Sequence, residues 1–244
     1  MILSTLPTTS LLMQKPSFLI LIIALFIFLS AVIFLLLPYV GADSRMSGND
    51  PTALAAVEIR NYEGLDLSSV NDFRENAIRG PRYVDITRYR LTVTGLVEED
   101  TILNYDQILD KYPHYSKVVT LYCVEGWDAT ILWEGVLVRD IINDAGADPR
   151  ANTVIFRADD GYTTSLPLDY IMENDILMAY RMNNVTLPSE RGYPFQLVAE
   201  DKWGYKWIKW IETIELSDDP SYRGYWEQRG FSDSADISES VYNR

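Results

Sequence analysis

The chain has 244 residues, of which 48% are hydrophobic, and a formal net charge of −14 at pH 7. This charge excludes nucleic acid as a natural partner, because binding to a phosphate backbone requires a basic surface. The composition includes one cysteine and one histidine. It therefore excludes an intrachain disulfide, histidine-rich zinc sites and bis-histidine haem.

The first predicted element is a hydrophobic helix near the N-terminus. Residues 18–37 contain no charged residue and are followed by Pro38. At about 1.5 Å of rise per residue, this length corresponds to roughly 30 Å, the thickness of a bilayer's hydrocarbon core. We predict a short cytoplasmic leader at residues 1–16 and a single-pass membrane anchor at residues 17–38, with the rest of the chain outside the cytoplasm. A cleaved signal sequence is the alternative, although its apolar core is usually shorter.

A polar linker is predicted at residues 39–67, one domain at residues 68–232, and a polar C-terminal tail at residues 233–244. Alternation of apolar residues and helical spacing predict the following elements of the domain: strands at Tyr89–Val97, Val118–Cys123 and Thr153–Phe156, and helices at Leu137–Ala145 and Pro167–Glu173. These elements do not follow a regular β-α-β rhythm, so we predict an α+β domain.

The lone cysteine, Cys123, lies where a hydrophobic segment meets the glycine and aromatic residues of Val124-Glu125-Gly126-Trp127. A free cysteine is often a small buried hydrophobe, so packing alone is one interpretation. If residues 121–125 are extended, Glu125 projects to the same face as the thiol. Its carboxylate disfavours a free nucleophilic thiolate. A metal-bound thiolate is compatible with it, because coordination deprotonates the sulfur.

His114, in a Tyr/Pro/Lys stretch, is predicted to be a loop residue. An extracytoplasmic domain with one cysteine and one histidine suggests a second class, a sortase-like cysteine transpeptidase in which histidine activates cysteine. The separation of His114 from Cys123 and the nearby Glu125 disfavour it. A further alternative function is that of a non-catalytic extracytoplasmic binding domain.

Three lysines surround a glycine in the run Lys202-Trp203-Gly204-Tyr205-Lys206-Trp207-Ile208-Lys209-Trp210. One interpretation is an amphipathic element, because three of its tryptophans recur at helical spacing. The other is an anion pocket, because lysines that converge beside a glycine turn suit a phosphate group.

Five short blocks follow one another along the chain: Cys123–Trp127, Trp133–Val136, Asp160–Tyr162, Arg191–Pro194 and Gly204–Trp210. Their order and spacing resemble those of the sulfite oxidase superfamily, the oxidoreductase molybdopterin-binding domain. The resemblance covers about residues 68–232. It implies a mixed, sulfite-oxidase-like molybdopterin-binding fold of the α+β class.

The resemblance also implies the cofactor, Mo-molybdopterin, with Cys123 as the metal ligand and a catalytic residue. Cofactor-binding positions carried over by the resemblance are Asn71, Arg74, Glu75, Arg191, Gln196, Gly204, Tyr205, Lys206 and Lys209. The implied activity is two-electron oxygen-atom transfer. Electrons would be exchanged with a separate redox partner in the membrane, either a cytochrome or a quinol-linked protein.

Two positions depart from sulfite oxidases, which have arginines where this chain has Glu75 and Asp128. Their negative charges disfavour sulfite, so we expect reduction of an S-oxide or N-oxide on a small molecule or a protein, with sulfite oxidation as the alternative. The Cys-Val-Glu-Gly-Trp block is similar to that of protein-methionine-sulfoxide reductase catalytic subunits. Arg229, where a tyrosine is usual, is expected to restore some anion affinity and to contribute to catalysis.

Overall fold

The computed structural model of the protein describes residues 58–243. The predicted leader and the predicted anchor at residues 17–38 lie outside the described residues and stay predictions. Among the residues that are described, no helix has the length and apolar character needed to cross a bilayer.

Residues 58–243 form twelve strands, three α-helices and three short 3-10 helices. The strands are β1 (Asn61–Tyr62), β2 (Leu65–Asp66), β3 (Leu91–Gly95), β4 (Thr101–Leu103), β5 (His114–Tyr122), β6 (Asp128–Leu137), β7 (Thr153–Ala158), β8 (Thr163–Pro167), β9 (Leu177–Met182), β10 (Val185–Thr186), β11 (Gln196–Val198) and β12 (Ile211–Ser217). The α-helices are α1 (Tyr105–Lys111), α2 (Val138–Ala145) and α3 (Leu168–Glu173), and the 3-10 helices are Ser189–Arg191, Gly204–Lys206 and Glu227–Arg229.

Two larger sheets carry the core. One has the strand order β10-β9-β6-β5, with β11 also paired to β9, and these pairs are antiparallel. The other has the order β4-β3-β12-β7-β8, in which β3 and β12 run parallel and the other pairs antiparallel. Because the strands and helices are mixed without β-α-β repetition, the predicted α+β class is confirmed.

The predicted elements are present with small changes at their ends. Strand β3 lies within the predicted Tyr89–Val97, and β7 extends the predicted Thr153–Phe156 by two residues. Helix α2 ends at Ala145 and is followed by Gly146, which is left-handed and serves as the predicted stop. Strand β5 begins at His114, whose backbone pairs with Val136 of β6. The prediction that His114 is a loop residue is therefore wrong.

The tryptophan-rich run at residues 202–210 does not form an amphipathic helix. Its one regular element is the 3-10 helix Gly204–Lys206. Trp207 and Trp210 are buried, and Trp210 has a positive φ of 53°, which a right-handed helix does not permit. The spacing of the tryptophans thus reflects core packing without helical periodicity.

Segments that were predicted to flank the domain pack against it. Residues 58–67, predicted as linker, include the β1–β2 hairpin, and the Ile59 N–H donates to the Asn183 oxygen at 3.0 Å. In the predicted tail, the Ala235 oxygen accepts from the Trp203 N–H at 2.8 Å and the Ile237 N–H donates to the Asp201 oxygen at 3.0 Å. The folded domain is therefore wider than the predicted residues 68–232.

A buried ion pair connects two of the 3-10 helices. The ammonium of Lys206 donates to the Glu227 carboxylate and to the Ser165 oxygen, and both charged side chains are 1% exposed. The Glu227 carboxylate also accepts from the Thr164 hydroxyl. Burial lowers the pKa of Lys206, and the charge of Glu227 opposes this shift. The pair depends on both partners, because either charge alone would be buried without compensation.

We predict that Lys206→Met destabilises the fold by about 3–5 kcal/mol, because it leaves the Glu227 carboxylate buried and uncompensated. The double variant Lys206→Met/Glu227→Leu should regain much of this loss, because both charges are then removed. Urea unfolding followed by tryptophan fluorescence measures both free energies. Equal losses in the single and double variants would contradict this account.

Candidate active site

Cys123 begins the loop that joins β5 to β6. Tyr122 pairs with Asp128, so the loop comprises residues 123–127. The Cys123 N–H donates to the Trp127 oxygen at 2.8 Å, and the Gly126 N–H donates to the Cys123 oxygen at 3.0 Å. Gly126 has a φ of 86°, which glycine adopts without steric cost. Residues 121–125 are therefore not extended throughout, because the chain turns directly after Tyr122, and the condition stated above for Glu125 is not met.

The buried sulfur of Cys123 lies among polar groups. The side-chain amide nitrogen of Asn76 is 3.7 Å from Sγ, and the backbone N–H of Glu125 also faces the thiol. Burial raises the pKa of the Cys123 thiol, and the Glu125 carboxylate adds to this rise, while both N–H donors and Arg74 oppose it. Such a thiol is a weak free nucleophile. A metal ion can still bind it by displacing its proton.

The structure separates the histidine from the cysteine. His114 is the first residue of β5 and Cys123 follows the last, so at about 3.4 Å per residue they are roughly 30 Å apart. The Nδ1 atom of His114 is instead 2.8 Å from the Tyr180 hydroxyl. His114 cannot take a proton from Cys123 directly, so the sortase-like interpretation is wrong.

Arg191 holds the irregular segment at residues 70–76. Its guanidinium donates to the backbone oxygens of Val70 at 2.9 Å, Phe73 at 2.6 Å and Arg74 at 3.1 Å. It also lies over the Phe73 ring, at 3.9 Å from the centroid. Of the five N–H groups of a guanidinium, these bonds use three, so two remain for a ligand.

The same segment meets the cysteine loop. The rings of Phe73 and Trp127 are 5.7 Å apart between centroids. The Arg74 guanidinium forms an ion pair with the Glu125 carboxylate at 3.7 Å, and Asn76 reaches the sulfur of Cys123 as described above. The sequence-predicted residue Arg74 is thus brought to the cysteine.

Lys209 lies beside Arg191. Its ammonium donates to Glu75 Oε1 at 2.7 Å and to the Glu190 oxygen at 3.1 Å, which leaves one of its three N–H groups. Burial lowers the pKa of Lys209, and Glu75 opposes this shift. A Cβ at Gly192 would be 3.0 Å from the Lys209 Cβ and 3.1 Å from that of Gln196. Four predicted positions, Glu75, Arg191, Gln196 and Lys209, therefore lie together.

Gly204 lies directly against the cysteine loop. A Cβ at this position would be 3.2 Å from the Tyr122 oxygen and 3.7 Å from the Cys123 Cα. The hydroxyl of the next residue, Tyr205, donates to the Ser232 oxygen at 2.9 Å. The backbone at Gly204 thus borders the site, while the Tyr205 side chain is directed to the C-terminal segment.

The three lysines of this run do not converge on one pocket. Lys202 pairs with Asp236 at 3.8 Å, Lys206 pairs with Glu227 in the interior, and Lys209 alone is placed beside Arg191. A phosphate contact by Lys206 is contradicted, because its ammonium is buried in an ion pair. The anion-binding prediction is therefore limited to Lys209.

Two further predicted residues lie at the margin or away from the cysteine. Asn71 is exposed at the start of the irregular segment, where its N–H donates to the Ser69 hydroxyl at 3.3 Å. The Arg229 guanidinium donates to the Tyr225 oxygen and lies 3.6 Å over the Tyr225 ring. The structure does not bring Arg229 to Cys123, and its catalytic role stays a prediction.

Asn76 is a site residue that the sequence reasoning missed. It is uncharged and belongs to none of the five blocks, so neither charge nor motif indicated it. Its position directly after Glu75 is the signal that could have suggested it.

These residues fit a metal that is bound mainly by an organic ligand with an anionic group. Within residues 58–243, no group of three or more His, Cys, Asp or Glu side chains could hold a metal ion. A metal at Cys123 would therefore take fewer than three protein ligands of these types. Arg191 and Lys209 would supply their remaining N–H groups to an anion, and a Cβ at Gly126, in the exposed part of the cysteine loop, would meet no atom within 4 Å.

The fold and the site fit an oxidoreductase whose metal centre would take one thiolate, from Cys123. The family model described as the oxidoreductase molybdopterin binding domain matches residues 78–226, and the chain belongs to this family. It is a molybdenum-dependent oxidoreductase with Mo-molybdopterin as its cofactor. The family, the enzyme class and the cofactor that the sequence predicted are confirmed.

Individual relatives agree with this assignment. The uncharacterized oxidoreductase YuiH of Bacillus subtilis is 34% identical over 152 residues, which cover 62% of this chain and 76% of the relative. A putative protein-methionine-sulfoxide reductase subunit, YedZ1 of Azospira oryzae, is also 34% identical over 152 residues, with 62% and 57% covered. Mitochondrial sulfite oxidase of Mus musculus is 29% identical over 197 residues, with 67% and 36% covered.

Among solved structures, the sulfane dehydrogenase SoxCD from Paracoccus pantotrophus matches with a TM-score of 0.60 at 18% sequence identity. The match covers 78% of this chain and 57% of that chain, and it shows the fold alone. The chain spans about three quarters of the Bacillus relative and 57% or less of the Azospira and mouse relatives.

We predict that Cys123→Ser lowers oxygen-atom transfer by at least about 100-fold, because it removes the metal's protein sulfur. The fold and the pterin should be retained, since the substitution preserves shape and leaves the residues around Arg191 unchanged. Thermal unfolding, pterin content, molybdenum content and dye-linked turnover measure these effects. Wild-type protein from molybdenum-replete cells that contains neither molybdenum nor pterin would contradict the assignment.

Proposed function

We propose that the enzyme reduces a neutral S-oxide or N-oxide, on a small molecule or a protein, by two-electron oxygen-atom transfer. The supporting observation is the charge balance around Cys123. The Arg74 guanidinium is paired with Glu125 at 3.7 Å, and the Lys209 ammonium is paired with Glu75 at 2.7 Å. Asp128 adds an exposed carboxylate at the start of β6.

Sulfite is an anion and requires positive charge that is not already neutralised. By the resemblance stated above, sulfite oxidases supply arginines at the positions of Glu75 and Asp128. An anion that faces carboxylates in a partly desolvated site is disfavoured by several kcal/mol. A neutral oxide does not meet this repulsion, so the charges of this site favour it.

Bound Mo-molybdopterin supplies the two-electron oxygen-atom chemistry, and the residues of the chain prepare the site for it. Cys123 provides a thiolate, and Arg191 fixes the segment at residues 70–76 beside it. The remaining N–H groups of Arg191 and Lys209 bind the anionic part of the cofactor. Val124, Glu125 and Gly126 are exposed, so substrate and the two protons that oxide reduction consumes reach Cys123 from this side.

The electrons are proposed to come from a separate membrane protein, either a cytochrome or a quinol-linked protein. The domain is proposed to lie outside the cytoplasm, held by the anchor at residues 17–38. The hydrophobic run at residues 18–37 supports the anchor. The relative named as a putative protein-methionine-sulfoxide reductase subunit supports an oxidised substrate.

We predict that the wild-type enzyme, with a reduced dye as donor, turns over methionine sulfoxide faster than it oxidises sulfite with an artificial acceptor. Asp128→Arg should move the ratio of the two kcat/KM values towards sulfite by roughly tenfold or more, because one anion–cation contact is worth about 1.5–3 kcal/mol. Arg150→Lys, at a surface site on the loop before β7, is the control and should leave the ratio unchanged. Efficient sulfite oxidation by the wild type that is lost in Arg229→Ala would contradict the proposal.

We predict that the full chain remains in the membrane fraction after a carbonate wash, because the apolar run at residues 18–37 would be long enough, as a helix, to span the bilayer. Deletion of residues 1–38 should release a soluble enzyme with unchanged dye-linked activity. Immunoblotting of the fractions measures the distribution. Recovery of the expressed full chain in a shortened, soluble form would instead show that the N-terminal segment is a cleaved signal.

A further inference from the structure

We propose that Asn76 raises the reduction potential of the metal by donating a hydrogen bond to the Cys123 sulfur. The amide nitrogen of Asn76 is 3.7 Å from Sγ, within the range for a sulfur acceptor. A side-chain amide carries two N–H donors and no charge. It can therefore direct a donor at the sulfur without changing the charge of the site.

The neighbours of Asn76 hold it at this position. Glu75 accepts the hydrogen bond of the Lys209 ammonium at 2.7 Å, and Arg74 is paired with Glu125 of the cysteine loop at 3.7 Å. The Arg74 backbone oxygen also accepts from the Arg191 guanidinium at 3.1 Å. Arg74 and Glu75, the two residues before Asn76, are thus bonded to three other segments of the chain. These contacts restrict where the Asn76 amide can lie.

The charges near the sulfur largely cancel, so hydrogen bonds to the sulfur have a larger share in setting the reduction potential. Arg74 and Glu125 have opposite charges and are paired with each other. The remaining polar groups that face the sulfur are the Asn76 amide and the backbone N–H of Glu125. Of these two donors, the side chain of Asn76 is the one that substitution can remove.

A hydrogen bond to a metal-bound thiolate withdraws electron density from the sulfur and makes it a weaker donor. The more reduced metal is then favoured, because it needs less donation from its ligands. Asn76 should thereby make the centre easier to reduce by the partner. The effect follows from the confirmed cofactor and does not depend on which oxide or anion is the substrate.

The test is a redox titration of the holoenzyme monitored by the EPR signal of molybdenum(V), with molybdenum and pterin content measured in parallel. Asn76→Leu removes the donor at similar volume, and Asn76→Asp replaces it by a negative charge. The matched control is Asn61→Leu, which loses a hydrogen bond to Asp66 on the β1–β2 hairpin. The wild type gives the reference potential.

The expected result is a lower potential in Asn76→Leu and a still lower one in Asn76→Asp, with full cofactor content in both. At a fixed solution potential, the ratio of oxidised to reduced metal should rise about threefold to tenfold in Asn76→Leu, which corresponds to roughly 30–60 mV for a one-electron step. The control should keep the wild-type potential. If Asn76 acted only through packing, the potential would not fall from the wild type to Asn76→Leu and fall again in Asn76→Asp.

An unchanged potential in fully loaded Asn76→Leu would overturn the proposal. Loss of pterin from both Asn76 variants would also overturn it, because Asn76 would then hold the cofactor and would have no separate action on the sulfur. The titration contains no oxide and no sulfite. A failure of the proposed substrate preference would therefore leave this result unaffected.

Discussion

The site depends on the hydrogen bonds that the Arg191 guanidinium donates to the backbone of residues 70–74. Between β2 and β3 the chain forms no helix and no strand, so the repeating backbone hydrogen bonds of a sheet do not fix it. Ordering such a segment costs conformational entropy at every residue. A buried guanidinium offsets this cost at the place where the segment approaches Cys123, and the bonds at Tyr89 and Arg82 hold its later part.

Backbone elements with a clear period were predictable from the sequence, whereas the long buried strand β6 was not. Strand β3 alternates buried and partly buried residues, and α2 has helical spacing and ends before a glycine, so both gave a signal. Strand β6 lies between β5 and β9 and is buried along most of its length, which removes the alternation that marks a strand. The sequence reasoning did not predict it for this reason.

In the candidate site too, residues marked by a local sequence pattern were predictable, and residues whose role depends on tertiary contacts were not. Cys123 was predicted because it is the one cysteine of the sequence and lies in a distinctive Cys-Val-Glu-Gly-Trp block, whereas the turn that follows Tyr122 was not predicted. Lys206 and Lys209 are three positions apart and could not be distinguished by sequence, yet one is buried against Glu227 and the other lies beside Arg191. Their difference comes from the C-terminal segment, whose position no local pattern encodes. Asn76 was not predicted for a similar reason, since its proposed role depends on a thiol that is distant in the sequence.

The packing of the C-terminal segment has a practical consequence for how the catalytic unit is delimited. Residues matched by the family model end at 226, but Ser232, Ala235 and Ile237 bond to the turn that carries Gly204 and to the residues just before it. A fragment cut at the edge of the family match would lose Glu227, which neutralises Lys206, and would uncover Trp203. Truncations and peptide tags should therefore leave residues 227–243 intact, because this stretch packs against residues 201–206, and Gly204 of that segment borders the cysteine loop.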